Sequence, residues 1–132
     1  MVTAHQAVKL VIVDCSMKTE LTMRIDIFMA GDIAQAKQVC REYCFEVGLC
    51  VTIEAVDYIY TGGEEAGFRV GLINYPRFPT EYKVLKDHAL QLANKLLQRL
   101  FQHSWCIVEF YETTWFTRRD LTSSPPPTKV VR

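Results

Sequence analysis

No excess of either charge sign marks this chain: fifteen basic and fifteen acidic side chains give a formal net charge of zero over 132 residues. That excludes a broad non-specific nucleic-acid surface, which needs a clear basic excess, but leaves room for a local basic pocket for one small phosphate ligand. Near-zero charge also gives little protection against self-association. No stretch approaches the ~20 apolar residues of a membrane span. The apolar run Ala7–Val13 is short for a secretory segment and is followed by Asp14 rather than a small-residue cleavage site. No two of the five cysteines (Cys15, Cys40, Cys44, Cys50, Cys106) stand at CxxC spacing, and zinc sites want paired ligands close together. Cys40 and Cys44 lie four apart on one expected helix face, which suits packing, so reduced thiols in a cytosol are expected. Neither a Walker loop nor GxGxxG is present. His5, His88 and His103 are scattered, and no histidine is placed to activate Cys106. These absences lead us to expect no catalytic residue, no metal and no cofactor.

What is present reads as α+β. Residues 22–30 alternate, with Met23, Ile25, Ile27 and Met29 on one side and Arg24 and Asp26 on the other, as in a half-buried strand. Gly31 ends it, Asp32 is a good N-cap with Gln35 three residues on, and apolar residues follow at helical spacing to Gly48. A β-branched and aromatic strand covers 49–60, a glycine-bearing turn 61–67 and another alternating strand 68–74. Pro76 and Pro79 stop that strand. Thr80 is expected to cap a long helix over 80–102, with Leu85, Ala89, Leu92 and Leu96 in its apolar stripe. Residues 104–118 read as one last strand, far longer than the usual five or six. The order is βαββαβ, a ferredoxin-like antiparallel sheet with two helices on one face and an extended last strand. We expect an N-terminal extension or extra strand over 1–20, a ligand-binding domain over 21–119 and a flexible Pro-rich tail over 120–132. A bare sheet face and an overhanging strand ask for a second copy, so a homo-oligomer is expected.

Three segments carry candidate binding chemistry. In the turn, Tyr60 and Thr61 precede glycines whose amides suit an anion, although those glycines equally suit a plain hairpin. The loop Asn74, Tyr75, Arg77, Phe78, set between prolines, combines amide, aromatic and guanidinium groups of the kind that recognise base, ribose and phosphate. It reads equally well as a packed connection before the helix. Trp115, Phe116, Arg118 and Arg119 repeat that chemistry at the end of the last strand, where an interface strand would look the same. The two clusters are compatible with one pocket between subunits. Asp57, Glu109 and Glu112 are the acids that could face a cleft.

The segments 58–67 and 70–79, with Phe28-Met-Ala-Gly-Asp32, resemble the phage Thoeris anti-defence 1 family over residues 23–119. That resemblance implies a non-enzymatic sponge in the cytoplasm of an infected bacterial host. It would sequester a cyclised ADP-ribose immune signal and assemble from dimers into hexamers; some members also hold cyclic oligonucleotides at separate sites. It implies a small nucleotide-derived ligand as partner, with no membrane and no nucleic-acid polymer. Arg118 or Arg119 would stand for the family's C-terminal arginine and Asn74 for its asparagine. Two other readings remain open. One is a small nucleotide- or pterin-processing enzyme using an Asp or Glu base, favoured if a carboxylate such as Asp57 or Glu109 is buried. The other is a protein–protein adaptor using the bare sheet face.

Overall fold

The computed structural model describes residues 15–119, in the order β1 (Arg24–Ala30), α1 (Ile33–Val47), β2 (Thr52–Tyr60), β3 (Gly63–Ile73), α2 (Tyr82–Arg99), β4 (Ser104–Val108) and β5 (Thr113–Thr117). The expected tail and most of the expected N-terminal extension lie outside the described residues. The strands form one antiparallel sheet in the order β2-β3-β1-β4-β5. The first four keep the split-βαβ arrangement, and the fifth is added at the β4 edge.

The strand alternation builds the core. Ile25, Ile27 and Met29 pair across to Leu72, Val70 and Phe68, and all six are buried under the helices. From α1 come Ala36, Val39, Cys40 and Tyr43; from α2, Leu85, Ala89, Leu92, Ala93, Leu96 and Leu97. Each large apolar side chain buried this way contributes roughly 1.5–3 kcal/mol. The two helices are also joined by a polar contact, the Tyr43 hydroxyl lying 2.7 Å from His88 Nδ1.

Helix termini follow local chemistry in one case and not the other. The Asp32 carboxylate accepts from the amides of Ala34 and Gln35, and Gly48 closes α1 at φ 74°, a left-handed cap suited to glycine. For α2 the expected Thr80 cap is absent. Glu81 occupies the cap position without a side-chain hydrogen bond, and the Thr80 amide donates instead to Asn74 Oδ1 at 2.9 Å.

Two expectations at the strand ends are corrected. The hairpin turn is only Thr61–Gly62, with Gly62 at φ 87°; β3 already begins at Gly63. The single strand expected over 104–118 is a hairpin. The chain reverses over Glu109–Glu112, where the Glu109 amide donates to the Glu112 carbonyl at 2.9 Å, and β5 returns along β4. The overhang that argued for a partner is therefore folded back onto its own sheet.

The second sheet face carries no helix. By register it presents Phe28 and Ala30 from β1, Val56 and Tyr58 from β2, Gly67 and Arg69 from β3, Cys106 and Val108 from β4, and Trp115 from β5. Tyr58 lies flat across Gly67, where an added Cβ would stand 2.4 Å from its ring.

Candidate functional site

β1 places two ends of the molecule about 20 Å apart, from seven residues at ~3.3 Å each. At one end lie the start of β1, the loop after β3, the start of α2 and the β4–β5 turn. At the other lie the Thr61–Gly62 turn and the residues following β5.

This separates the sequence-expected site residues. Tyr60, Thr61, Arg118 and Arg119 occupy one end, and Asn74, Tyr75, Arg77 and Phe78 the other; Trp115 and Phe116 lie on the β5 edge. Within one chain they do not form one pocket. Asn74 is buried and spends its amide on structure: Nδ2 donates to the Leu21 carbonyl at 2.8 Å while Oδ1 holds Thr80. Arg118 donates through its guanidinium to the Gln102 carbonyl, and the Arg119 amide donates to Thr117 Oγ1 at 3.0 Å. Phe116 stacks on Trp105 with ring centroids 4.5 Å apart. Tyr60 packs against Gly63, where a Cβ would meet its ring at 3.1 Å, and Thr61 sits exposed in the turn. The sequence-expected residues left exposed at the first end are Tyr75, Arg77 and Phe78. They form a local group in which Arg77 lies 5.3 Å over the Phe78 ring.

The same end holds a buried acid. Glu109 leaves β4 with its side chain 6% exposed. α2 starts above it, and Tyr82 and Lys86, one turn apart, point to the same side of that helix. The Tyr82 hydroxyl donates to Glu109 Oε1, and Lys86 Nζ stands 3.2 Å from that same oxygen. Both partners therefore hold one oxygen. Oε2 is shut off from solvent and has no hydrogen-bond partner. A carboxyl oxygen left unanswered in a buried place is costly, and such groups are rare in native folds. Burial first, then the hydrogen bond to Glu109, push the Tyr82 hydroxyl up to about 12, so it remains a proton donor at neutral pH.

A second charged group lies on the open sheet face. There Arg69 reaches Asp26 at 2.7 Å and also pairs with Glu54. Arg69 sits between two carboxylates, and the Glu54 hydrogen bond leads the effects that raise its pKa.

Sequence reading placed Glu109 among the acids that could face a cleft but gave it no site role. It gave no role to Tyr82 or Lys86. The available signal was Glu109-Phe-Tyr-Glu112, where two adjacent aromatics interrupt the alternation expected of a strand. Asp57 is exposed. Among the described residues no group of three or more His, Cys, Asp or Glu side chains could hold a metal ion, and no helix is long and apolar enough to cross a membrane.

No protein-family model and no curated protein sequence matches the chain. Two solved structures share its fold. A phage SAM lyase in complex with S-methyl-5'-thioadenosine superposes with a TM-score of 0.57 at 12% identity, covering 77% of this chain and 96% of that one. A phage SAM lyase in the apo state gives 0.54 at 16% identity, with the same coverages. These fold neighbours are described as an enzyme, and neither belongs to the Thoeris anti-defence family. The expectation of a non-catalytic sponge for a cyclised ADP-ribose signal is overturned by this likeness to an enzyme, and with it the expectation of no enzymatic activity. The chain shares the fold of a lyase whose ligand is derived from a nucleoside.

Proposed function

We propose that the chain is a phage enzyme of the lyase class acting on a SAM-like nucleoside sulfonium, with Glu109 as the catalytic carboxylate. The observation that carries this reading is the buried Glu109 side chain with both partners on Oε1 and none on Oε2. The fold shared with a SAM lyase supplies the substrate class.

The chemistry suits such a group. In a lyase step the C–S bond breaks and its electron pair leaves on sulfur, turning a cationic sulfonium into a neutral thioether. The carbon fragment compensates by losing a neighbouring proton or by closing onto its own carboxylate. Oε2 accepts the proton in the first route and anchors the cationic group of the substrate in the second. Tyr82 and Lys86 fix the carboxylate by its other oxygen. Oε2 is closed to solvent, so access to it requires local movement, and the turn that Glu109 opens carries its two aromatic side chains outside the core.

Self-association belongs to the same proposal. The open sheet face combines the apolar Phe28, Val56, Tyr58, Val108 and Trp115 with charges already paired to one another, which suits contact with a second copy. A solution mass measurement reads it directly.

The decisive experiment incubates the purified chain with SAM and separates products by chromatography. Release of methylthioadenosine and loss of that release in Glu109→Gln are the expected results. Unchanged SAM with the wild-type chain would overturn the lyase reading.

A further inference from the structure

We infer that Phe110 and Tyr111, in the β4–β5 turn, form the platform on which the purine ring of the substrate stacks. This rests on the reading of the Glu109 end as a nucleoside site.

Three observations carry it. Tight hairpin connections favour glycine, asparagine and aspartate, which supply the backbone conformations of a sharp reversal. Here the connecting residues are two large aromatics, neither of them at a positive φ, so the backbone tolerates them but gives no reason for their bulk at a solvent-facing turn. The pair is also not folded into the core: Phe110 is 82% exposed and Tyr111 91%. Their rings lie together, with centroids 4.6 Å apart and planes 31° from parallel, presenting a broad π surface to solvent. Finally, the turn begins at Glu109 itself, so any movement of the platform is transmitted directly to the acid with the free oxygen.

Two other aromatic pairs serve as controls. Trp105 and Phe116 stack at 4.5 Å, but Trp105 is buried and the stack packs the β4–β5 edge. Tyr75 and Phe78 lie 6.1 Å apart in a loop closed by its own hydrogen bond from the Phe78 amide to the Tyr75 carbonyl at 2.8 Å. Neither pair adjoins the acid in sequence.

The test is titration calorimetry of the full chain with methylthioadenosine, beside KM for SAM. The double variant Phe110→Ser with Tyr111→Asp removes both rings and places residue types that turns without a positive φ accept; an unchanged Tm checks that the fold is kept. It is expected to weaken methylthioadenosine binding and raise KM by about 5- to 150-fold, the range of one lost base–aromatic stack. Tyr111→Phe, which keeps the ring, is expected to bind as the wild type does. S-methylmethionine, a sulfonium without a purine, is expected to show no response to the double variant. A double variant with wild-type binding and KM overturns the platform while leaving the lyase reading intact. Binding that is lost in the double variant of a chain that never cleaves SAM upholds the platform and overturns the lyase. A wild-type chain that binds no methylthioadenosine overturns the platform.

Discussion

Two acidic clusters in this molecule are built from similar parts and finished differently. On the open sheet face, Arg69 lies between Asp26 and Glu54 and answers both carboxylates. At the end of β4, Tyr82 and Lys86 converge on a single oxygen of Glu109, and the other oxygen is buried without a partner. The first arrangement spends its hydrogen-bonding capacity on the protein. The second leaves capacity unspent at a cost in stability, as the proposed catalytic role requires. Exposure sharpens the contrast: Glu54 is 57% exposed at the side chain and Glu109 6%, so only the latter sits where a charge interaction is strong.

The comparison breaks most clearly at Glu109. Glu109→Gln keeps the oxygen that Tyr82 donates to but removes the charge. Turnover of SAM is expected to fall by about 10²–10⁴-fold with little change in Tm, as for loss of a positioned acid or base. A large Tm loss with unchanged turnover would make Glu109 a structural residue like Asp26. Next is Gly67→Ala, whose new Cβ would stand 2.4 Å from the Tyr58 ring and 2.6 Å from the Met29 carbonyl oxygen of the neighbouring strand. Backbone cannot yield cheaply, and a loss of about 3 kcal/mol is expected by denaturant unfolding, at the upper end for overpacking. Arg69→Leu leaves Asp26, 14% exposed, with only the more exposed Arg24 at 3.2 Å, and is expected to cost about 1 kcal/mol, without the turnover loss of Glu109→Gln. Equal activity losses in the two clusters would erase the distinction drawn between them.

Alkaline titration probes one tyrosine from each region. Burial pushes Tyr58 up to about 12, and burial with the Glu109 hydrogen bond does the same for Tyr82, from an ordinary value of 10.0. Below pH 10 both states of the chain hold these protons. Between pH 10 and 12 the unfolded chain gives them up while the folded chain retains them, so stability is expected to fall as pH rises through that window. Tyr58→Phe and Tyr82→Phe should each flatten the slope of Tm against pH there, and only Tyr82→Phe should also alter turnover. The smallest effect is expected from Lys86→Met. Lys86 is 37% exposed, and such a pair is worth at most about 1 kcal/mol. Its removal should change Tm slightly, and a shift in the pH profile of turnover would show that it acts through Glu109.

How far the sequence carries the fold shows at particular residues. The alternation of Ile25, Ile27 and Met29 placed β1 and its buried face correctly, because period two is a local property of the backbone. Asp32 and Gly48 marked both ends of α1 for the same reason. The β4–β5 hairpin was not legible. Glu109-Phe-Tyr-Glu112 contains none of the residues that signal a turn, and residues 104–118 therefore read as one strand. The placement of the expected site residues depended on the same segment. Asn74 looked like a recognition residue because an amide in a proline-bounded loop is chemically apt, yet it is consumed in tying the loop to the Leu21 carbonyl and the Thr80 amide.

By itself, then, the sequence determined the α+β class, the order of the first four strands and the two helices on one face. Each of these follows from hydrophobic periodicity and capping within short windows. Only the tertiary structure decided that the last segment doubles back, that the Asn74–Phe78 loop and Arg118–Arg119 stand at opposite ends of β1, and that Glu109 meets Tyr82 and Lys86. Those outcomes join residues up to 27 positions apart through strand register and helix docking. No local pattern encodes which side chain is left with an oxygen that nothing answers.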